Sequence, residues 1–194
     1  FHQTFDMHTI ASLENVLNAQ GNVIGNDLNN LITLVQFGNP VSIVGNGGND
    51  TLVGAADGDS TLNGGEGNDV LRPVEGTSWT ELIGGAGTDT ADYSAYKAAV
   101  KVSLDNVQND GTAGNSFGDN VSSDVETVLG GSGNDSLTGS DGNNLLKGNA
   151  GNDTIRGGHG NDTLDGGSGA DMLYGEGGYD TIYSLDGTKD TVDG

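Results

Sequence analysis

The sequence contains no cysteine and only two prolines in 194 residues, and Phe, Trp and Tyr together make up 5% of it. The absence of cysteine excludes disulfide bonds and thiolate metal sites. A chain that is only 32% hydrophobic, with so few aromatic side chains, is poorly suited to the apolar core of an ordinary globular domain. A cysteine-free chain of this kind needs another source of stability, and a bound metal ion is the obvious one.

Basic residues are also scarce, with six Lys and Arg against 28 Asp and Glu and a net charge of −22. We expect no nucleic-acid binding, because that requires cations that neutralise phosphates. No apolar run approaches the roughly 18 residues of a membrane-spanning helix, so we expect no membrane span. Low hydrophobicity with high net charge is typical of a disordered chain, unless bound cations neutralise the acidic residues.

What the sequence does have is glycine, 36 residues of it, arranged in a repeat. From residue 130 to residue 183 the chain divides without a gap into six nonapeptides of the form G-G-x-G-x-D-x-U-x, where U is a large aliphatic residue. They read GGSGNDSLT, GSDGNNLLK, GNAGNDTIR, GGHGNDTLD, GGSGADMLY and GEGGYDTIY. A fixed short period of this kind predicts a solenoid.

The same pattern occurs less regularly upstream. GNGGNDTLV (45–53), GGEGNDVLR (64–72) and GGAGTDTAD (84–92) are good copies. The aliphatic position alone recurs further upstream, at intervals of nine to eleven residues, and we extend it to Ile24 and Val16. This predicts one continuous solenoid with imperfect early rungs.

Between the two blocks the rhythm breaks. Val100, Val102 and Leu104 alternate with polar residues like a strand, within a stretch rich in Gly, Asn and Asp. We therefore divide the chain into degenerate N-terminal rungs or a cap (1–44), a first repeat block (45–92), a loop and strand insertion (93–124), and a second repeat block with a C-terminal cap (125–194).

Each nonapeptide contains a short strand around U, preceded by a glycine-rich turn. Strand and turn in alternation give a flattened coil of two strands per turn of about 18 residues, with every U pointing inward. The predicted fold class is all-β, a parallel β-roll (β-solenoid) with Ca²⁺ in its turns.

Stacking brings together turns that lie two repeats apart. Asp135, Asp153 and Asp171 are predicted to lie along one edge, and Asn144, Asp162 and Asp180 along the other. Carboxylates and glycine carbonyls then offer only oxygen ligands, which suits several Ca²⁺ ions better than Mg²⁺ or Zn²⁺. The predicted ligands are Asp50, Asp69, Asp89, Asp135, Asp153, Asp162, Asp171, Asp180, Asp190, Gly48, Gly67, Gly133, Gly151, Gly160 and Gly169.

Three positions depart from the pattern. Asn144 stands in an Asp position, so we expect the sites that it shares to be weaker or empty. Ser60 and Asn30 also fall where Asp is expected, and Asp59 is a candidate to replace the acid that Ser60 lacks.

The nonapeptides resemble the RTX (repeats-in-toxin), or haemolysin-type, calcium-binding repeats over residues 45–92 and 125–194. This resemblance implies a parallel β-roll, Ca²⁺ held between turns by the repeat Asp and backbone carbonyls, and type I secretion in an unfolded state. It also implies folding triggered by calcium outside the cell. The expected location is secreted, extracellular or at the cell surface.

We expect no enzymatic activity, because the sequence contains no H-E-x-x-H or G-x-S-x-G element and its three histidines are isolated. The favoured role is structural, in a matrix, an adhesin or a self-assembling filament. The alternative is a non-catalytic RTX module of a larger secreted enzyme or toxin that binds carbohydrate or a surface. Tyr174, Tyr183 and Trp79 are the candidate sugar-stacking residues, whereas the residues flanking U in the second block lack the threonine ladder of an ice-binding face.

Overall fold

The computed structural model describes residues 5–6, 13–17, 22–36, 40–55, 58–76, 79–112, 118–184 and 186–194. Every regular element in these ranges is a β-strand, and no described segment forms a helix able to cross a membrane. The strands belong to three sheets that share one hydrophobic core. The predicted all-β parallel solenoid is confirmed.

One sheet runs the whole length of the solenoid, and we call it the long sheet. Its nine strands, in order and paired in parallel, are β2 (Leu13–Leu17), β4 (Leu31–Gln36), β6 (Thr51–Val53), β8 (Val70–Arg72), β10 (Thr90–Asp92), β14 (Thr127–Leu129), β16 (Leu145–Lys147), β18 (Thr163–Asp165) and β20 (Thr181–Tyr183).

The intervening strands form two shorter sheets. The N-terminal sheet contains, in order, β1 (Phe5–Asp6), β3 (Asn22–Ile24), β5 (Val41–Gly47), β7 (Ser60–Glu66), β9 (Thr80–Ala86) and β13 (Asn120–Val121). The C-terminal sheet contains β12 (Gly111–Thr112), β11 (Val100–Ser103), β15 (Ser136–Thr138), β17 (Thr154–His159), β19 (Met172–Gly177) and β21 (Thr191–Asp193).

The register shows the predicted two strands per turn. In the second block Leu137 pairs with Ile155 and Ile155 with Leu173, a step of 18 residues. In the first block the steps are longer, because Leu52 pairs with Leu71 and Leu71 with Ala91. The irregular segments between the good copies of the first block therefore form strands of the N-terminal sheet.

The U residues form the core, as the pattern predicts. All of the following are fully buried: Ile32, Ile43, Leu52, Leu62, Leu71, Leu82, Ala91, Val128, Leu137, Leu146, Ile155, Leu164 and Leu173. Burial of each large aliphatic side chain stabilises the folded state by roughly 1.5–3 kcal/mol. This gain must offset the conformational entropy that a whole nonapeptide loses on folding.

Two upstream assignments are wrong. Val23, not Ile24, pairs with Ile43 and is fully buried. Leu13, not Val16, pairs with Ile32, and the register shifts within β2. The error at Ile24 is a single residue, and because side chains alternate across a strand, it reverses the face.

The insertion is built into the solenoid. The long sheet passes from β10 directly to β14, while β11 pairs with β15 and β13 pairs with β9. Val100 and Val102 are buried, in agreement with their alternation. Tyr93 and Tyr96 pack edge to face inside this region, with ring centroids 5.1 Å apart.

Candidate metal centre

The structure places the nine predicted aspartates along two edges of the solenoid. The long-sheet edge consists of the turns that lead into the long sheet, and it carries Asp50, Asp69, Asp89, Asp162 and Asp180. The short-sheet edge consists of the turns that lead into the other two sheets, and it carries Asp135, Asp153, Asp171 and Asp190.

One oxygen of each repeat aspartate holds the stack together. Asp153 Oδ1 accepts the backbone N–H of Asp135 at 2.7 Å, and Asp171 Oδ1 accepts that of Asp153 at 2.8 Å. The same bond joins successive rungs of the long-sheet edge: Asp69 Oδ1 accepts the N–H of Asp50, and Asp89 Oδ1 accepts that of Asp69. Hydrogen bonds to charged acceptors contribute roughly 1.5–3 kcal/mol each, so this ladder stabilises the stack.

The other carboxylate oxygen is both buried and without a hydrogen-bond partner in six of the nine. These buried, unpaired atoms are Oδ2 of Asp50, Asp69, Asp89, Asp153, Asp162 and Asp171. Burial raises the pKa of Asp50, Asp89 and Asp153 to about 6, and the hydrogen bond to Oδ1 offsets this only in part. A buried, unpaired carboxylate costs several kcal/mol, more than one such hydrogen bond returns.

Except at Asp171, each unpaired oxygen lies beside a backbone carbonyl of the next rung. A Cβ on Gly64 would collide with Asp69 Oδ2 and lie 2.6 Å from the carbonyl oxygen of Gly84. A Cβ on Gly157 would meet Asp162 Oδ2 and the carbonyl oxygen of Gly175 in the same way. The first glycine of the nonapeptide thus keeps open a space that two oxygens from adjacent rungs face.

These turns share one backbone feature. The residue four before the aspartate, at the second position of the nonapeptide, has positive φ in every turn with an unpaired Oδ2 and in the turn of Asp180. These residues are Asn46, Gly65, Gly85, Asn149, Gly158, Gly167 and Glu176. We call the turns with an unpaired Oδ2 open turns.

In three other turns the residue at that position does not have positive φ, and its backbone N–H donates a hydrogen bond to the Asp or Asn side chain of the same turn. The N–H of Gly131 donates to Asp135 Oδ2 at 2.7 Å. The N–H of Ser140 donates to Asn144 Oδ1 at 2.8 Å, and the Asn30 turn has the same internal bond from its own second residue. We call these closed turns, because a backbone amide occupies the oxygen that an open turn leaves for another ligand.

The predicted glycines follow the same division. Gly48, Gly67, Gly151, Gly160 and Gly169 have positive φ, which other L-residues rarely adopt. Gly133 does not have positive φ, and its α-carbon packs against the backbone of Ala98 and Ala99 in the insertion. Its turn is the closed turn of Asp135.

Sequence reasoning missed a second ladder, made by asparagine at the fifth position of the repeat. Asn49 Oδ1 accepts the N–H of Asn68, and Asn152 Oδ1 accepts that of Ala170. Asn29, Asn68, Asn134, Asn143 and Asn161 make the same bond. The sequence contains the signal, since Asn precedes Asp in most repeats, but the pattern G-G-x-G-x-D-x-U-x leaves the fifth position variable.

The donor set suits a hard cation. No three acidic or histidine side chains converge within the described ranges, so an ion at an open turn would be held by one or two carboxylates and by carbonyls. Ca²⁺ accepts six to eight oxygen ligands in flexible geometry, whereas Zn²⁺ prefers His and Cys. The open turns therefore fit Ca²⁺: the unpaired Oδ2 and the first-position carbonyl of the next rung would hold it, and it would supply the missing counter-charge.

The comparisons with known proteins agree with this chemistry. No match to a curated protein was found. The model of the RTX calcium-binding nonapeptide repeat, in four copies, matches residues 44–73, 122–155, 129–164, 147–182 and 165–188, which together cover half of the chain. The chain therefore belongs to the family of RTX calcium-binding nonapeptide repeat proteins.

Proposed function

We propose that the open turns bind several Ca²⁺ ions, that binding completes folding, and that the folded β-roll serves outside the cell as a structural or adhesive element. The six buried, unpaired carboxylate oxygens, each at the edge of a stacked turn, carry this proposal. The predicted ligands of the open turns, from Asp50 to Asp171, are the residues we assign to the ions.

Charge gives the coupling between binding and folding. Stacked turns place like charges one rung apart, and with a net charge of −22 the metal-free stack repels itself. Apolar burial per rung is small, so it does not offset several buried unpaired carboxylates. A site that exists only in the folded state makes binding free energy part of folding free energy.

Calorimetric titration of the metal-free chain tests the binding. We expect several Ca²⁺ ions to bind by about 1 mM, the range of extracellular calcium modules, and Mg²⁺ to bind far more weakly because it demands a rigid octahedron. Equal binding of the two ions, or no binding of Ca²⁺, contradicts the proposal.

Exposed apolar residues in the last rungs support a role in contacts with other molecules. Tyr179 is 90% exposed and Tyr183 57%, and Met172 and Val192 are also exposed. Among the described strands, β20 and β21 each pair on one side only. Both features favour end-to-end contact with a further rung, whether from a second copy or from another part of a larger protein.

The alternative, a surface- or carbohydrate-binding module of a larger secreted protein, rests on the exposed aromatics. One candidate is already occupied: Arg156 stacks on the Tyr174 ring at 4.3 Å from its centroid. Sedimentation velocity in Ca²⁺ and in EDTA separates the two roles. Calcium-dependent assembly favours the structural role, whereas a monomer that binds arrayed glycans favours the module.

A further inference from the structure

The turn that returns from the insertion to the long sheet, residues 122–126, keeps the spacing of the repeat but has none of its glycines, and Glu126 stands where the repeat has aspartate. It nevertheless lies on the long-sheet edge directly after the turn of Asp89, because β10 pairs with β14. The rung that follows it is the closed turn of Asn144. Among the residues that the structure describes, residues 122–126 are therefore the segment stacked on the open turn of Asp89.

Asp89 has an oxygen that needs completion. Its side chain is 0% exposed, and its Oδ2 has no hydrogen-bond partner. A Cβ on Gly84 would lie 2.6 Å from this oxygen and 2.9 Å from the carbonyl oxygen of Asp124. The Asp124 carbonyl therefore takes the place that the first-position carbonyl of the next repeat takes at Gly64.

The acid of the missing repeat is also replaced. Glu126 Oε2 accepts the N–H of Asp89 at 2.8 Å, the bond that a repeat aspartate makes elsewhere in the ladder. Asp124 adds a carboxylate with no counterpart in the repeats, since its two oxygens accept the N–H groups of Gly84 and Gly85 at 3.2 and 3.1 Å. Two carboxylates thus come from the return turn, where a nonapeptide would supply one.

We propose that residues 122–126 and the Asp89 turn form a Ca²⁺ site, half of which comes from this glycine-free turn at the junction. Asp89 Oδ2 and the Asp124 carbonyl oxygen bind the ion, while the carboxylates of Asp124 and Glu126, which accept backbone N–H groups, add negative charge near it without completing a three-carboxylate cluster. The ion fastens the return of the insertion onto the first block. Because Ca²⁺ affinity rises with the number of nearby carboxylates, this site is among the tightest in the chain. The inference rests on the proposed calcium binding.

Glu126→Gln in the full chain tests it, because Gln retains an oxygen that can accept the Asp89 N–H and removes only the charge. The control is Asp141→Asn, the same charge change at an exposed position in the neighbouring closed turn. In calcium titrations we expect Glu126→Gln to weaken one ion at least about tenfold and to leave the others unchanged. Asp141→Asn should match the wild type. Circular dichroism at saturating Ca²⁺ verifies that both variants are folded.

Equal titrations for Glu126→Gln and Asp141→Asn overturn the junction site while the proposed function stands. A wild-type chain that binds no Ca²⁺ overturns both. A double-mutant cycle with Asp89→Asn separates a metal site from simple capping of the backbone. If both residues serve one ion, each single variant should weaken the same ion in the titration and the double variant should show coupling between them, whereas weakening of two different ions contradicts a shared site.

Discussion

The acids of the ladder differ in what meets their second oxygen. All accept an N–H of the preceding rung through the first oxygen, including Asp119, which accepts that of Thr80 at 2.7 Å. The second oxygen of Asp153 has no hydrogen-bond partner. That of Asp135 accepts a backbone N–H, and that of Asp119 accepts a hydrogen bond from the Tyr93 hydroxyl. Only the first arrangement needs a cation, so identical residues in the ladder have different relations to calcium.

This difference predicts unequal effects of the same substitution. Asp153→Asn removes the charge of an open turn, so the Ca²⁺ concentration at the midpoint of folding should rise several-fold. Asp135→Asn removes no ion ligand, but its one oxygen serves only one of the two backbone donors, so the midpoint should shift only by the cost of that hydrogen bond. Calcium titrations followed by circular dichroism measure both, and equal shifts would contradict the division into open and closed turns.

Asp119 is 6% exposed and lies close to Asp110. Burial raises the pKa of Asp119 to about 7 and that of Asp110 to about 6, although both accept hydrogen bonds. The folded state therefore keeps a proton on Asp119 at pH values where the unfolded chain, with its usual pKa near 4, has lost it. Stability from this group is present below about pH 4 and is lost as the pH rises through 7.

Asp119→Asn, which resembles the protonated acid, should remove that dependence. We expect the variant to lose less stability than the wild type between pH 5.5 and 8, by on the order of 1 kcal/mol per pH unit at most. Denaturant unfolding at saturating Ca²⁺ compares the two. Parallel pH profiles for wild type and variant would show that Asp119 does not titrate in this window.

At the scale of the turn, two polar ladders run in opposite directions. Aspartates accept an N–H from the rung before, and fifth-position asparagines accept one from the rung after. Each turn is therefore tied to both neighbours, while its first glycine leaves room for the oxygens that face an ion. The hydrogen bonds of the turns therefore fix how neighbouring rungs stack, together with the aliphatic column.

Gly148 and Gly142 test the space that the first glycine preserves. A Cβ on Gly148 would collide with Asp153 Oδ2 and lie 2.6 Å from the carbonyl oxygen of Gly166, whereas one on Gly142 meets only the Ser140 hydroxyl oxygen, at 3.6 Å. Neither glycine has positive φ, so alanine is compatible with both backbones. Gly148→Ala should raise the calcium midpoint several-fold and Gly142→Ala should leave it nearly unchanged. A tolerated alanine at Gly148 would contradict the account of the open turn.

The sequence predicted the rungs where local chemistry repeats. Strand positions, the buried column from Leu137 to Leu173 and the pairing two repeats apart all follow from a nine-residue period. The division between open and closed turns does not, since Gly131 and Gly158 are the same residue at the same position and differ in φ. That difference depends on the rung packed against each turn, because Gly131 lies against the backbone of Tyr96.

At the scale of the whole molecule, the two blocks use their edges differently. The open turns of the first block, at Asp50, Asp69 and Asp89, all lie on the long-sheet edge. In the second block Asp153 and Asp171 lie on the short-sheet edge and Asp162 on the other. Calcium is therefore expected on one side of the first block and on both sides of the second.

The insertion joins these halves without breaking the long sheet, and its contribution was beyond sequence reasoning. Asp124 and Glu126 stand in a turn without the glycines of the repeat, and β11 and β13 attach to different sheets. A repeated sequence predicts the contacts between one repeat and the next. The insertion occurs once, so its contacts depend on how that single irregular segment packs.

Calcium-dependent folding is the central claim, and far-ultraviolet circular dichroism of the whole chain tests it most directly. The protein is stripped with EDTA and then titrated with Ca²⁺, with Mg²⁺ as the control. The account predicts a largely disordered spectrum in EDTA and a cooperative gain of β-structure at about millimolar Ca²⁺, with no such gain in Mg²⁺. A metal-free chain that already shows the full β-spectrum, unchanged by Ca²⁺, would contradict it.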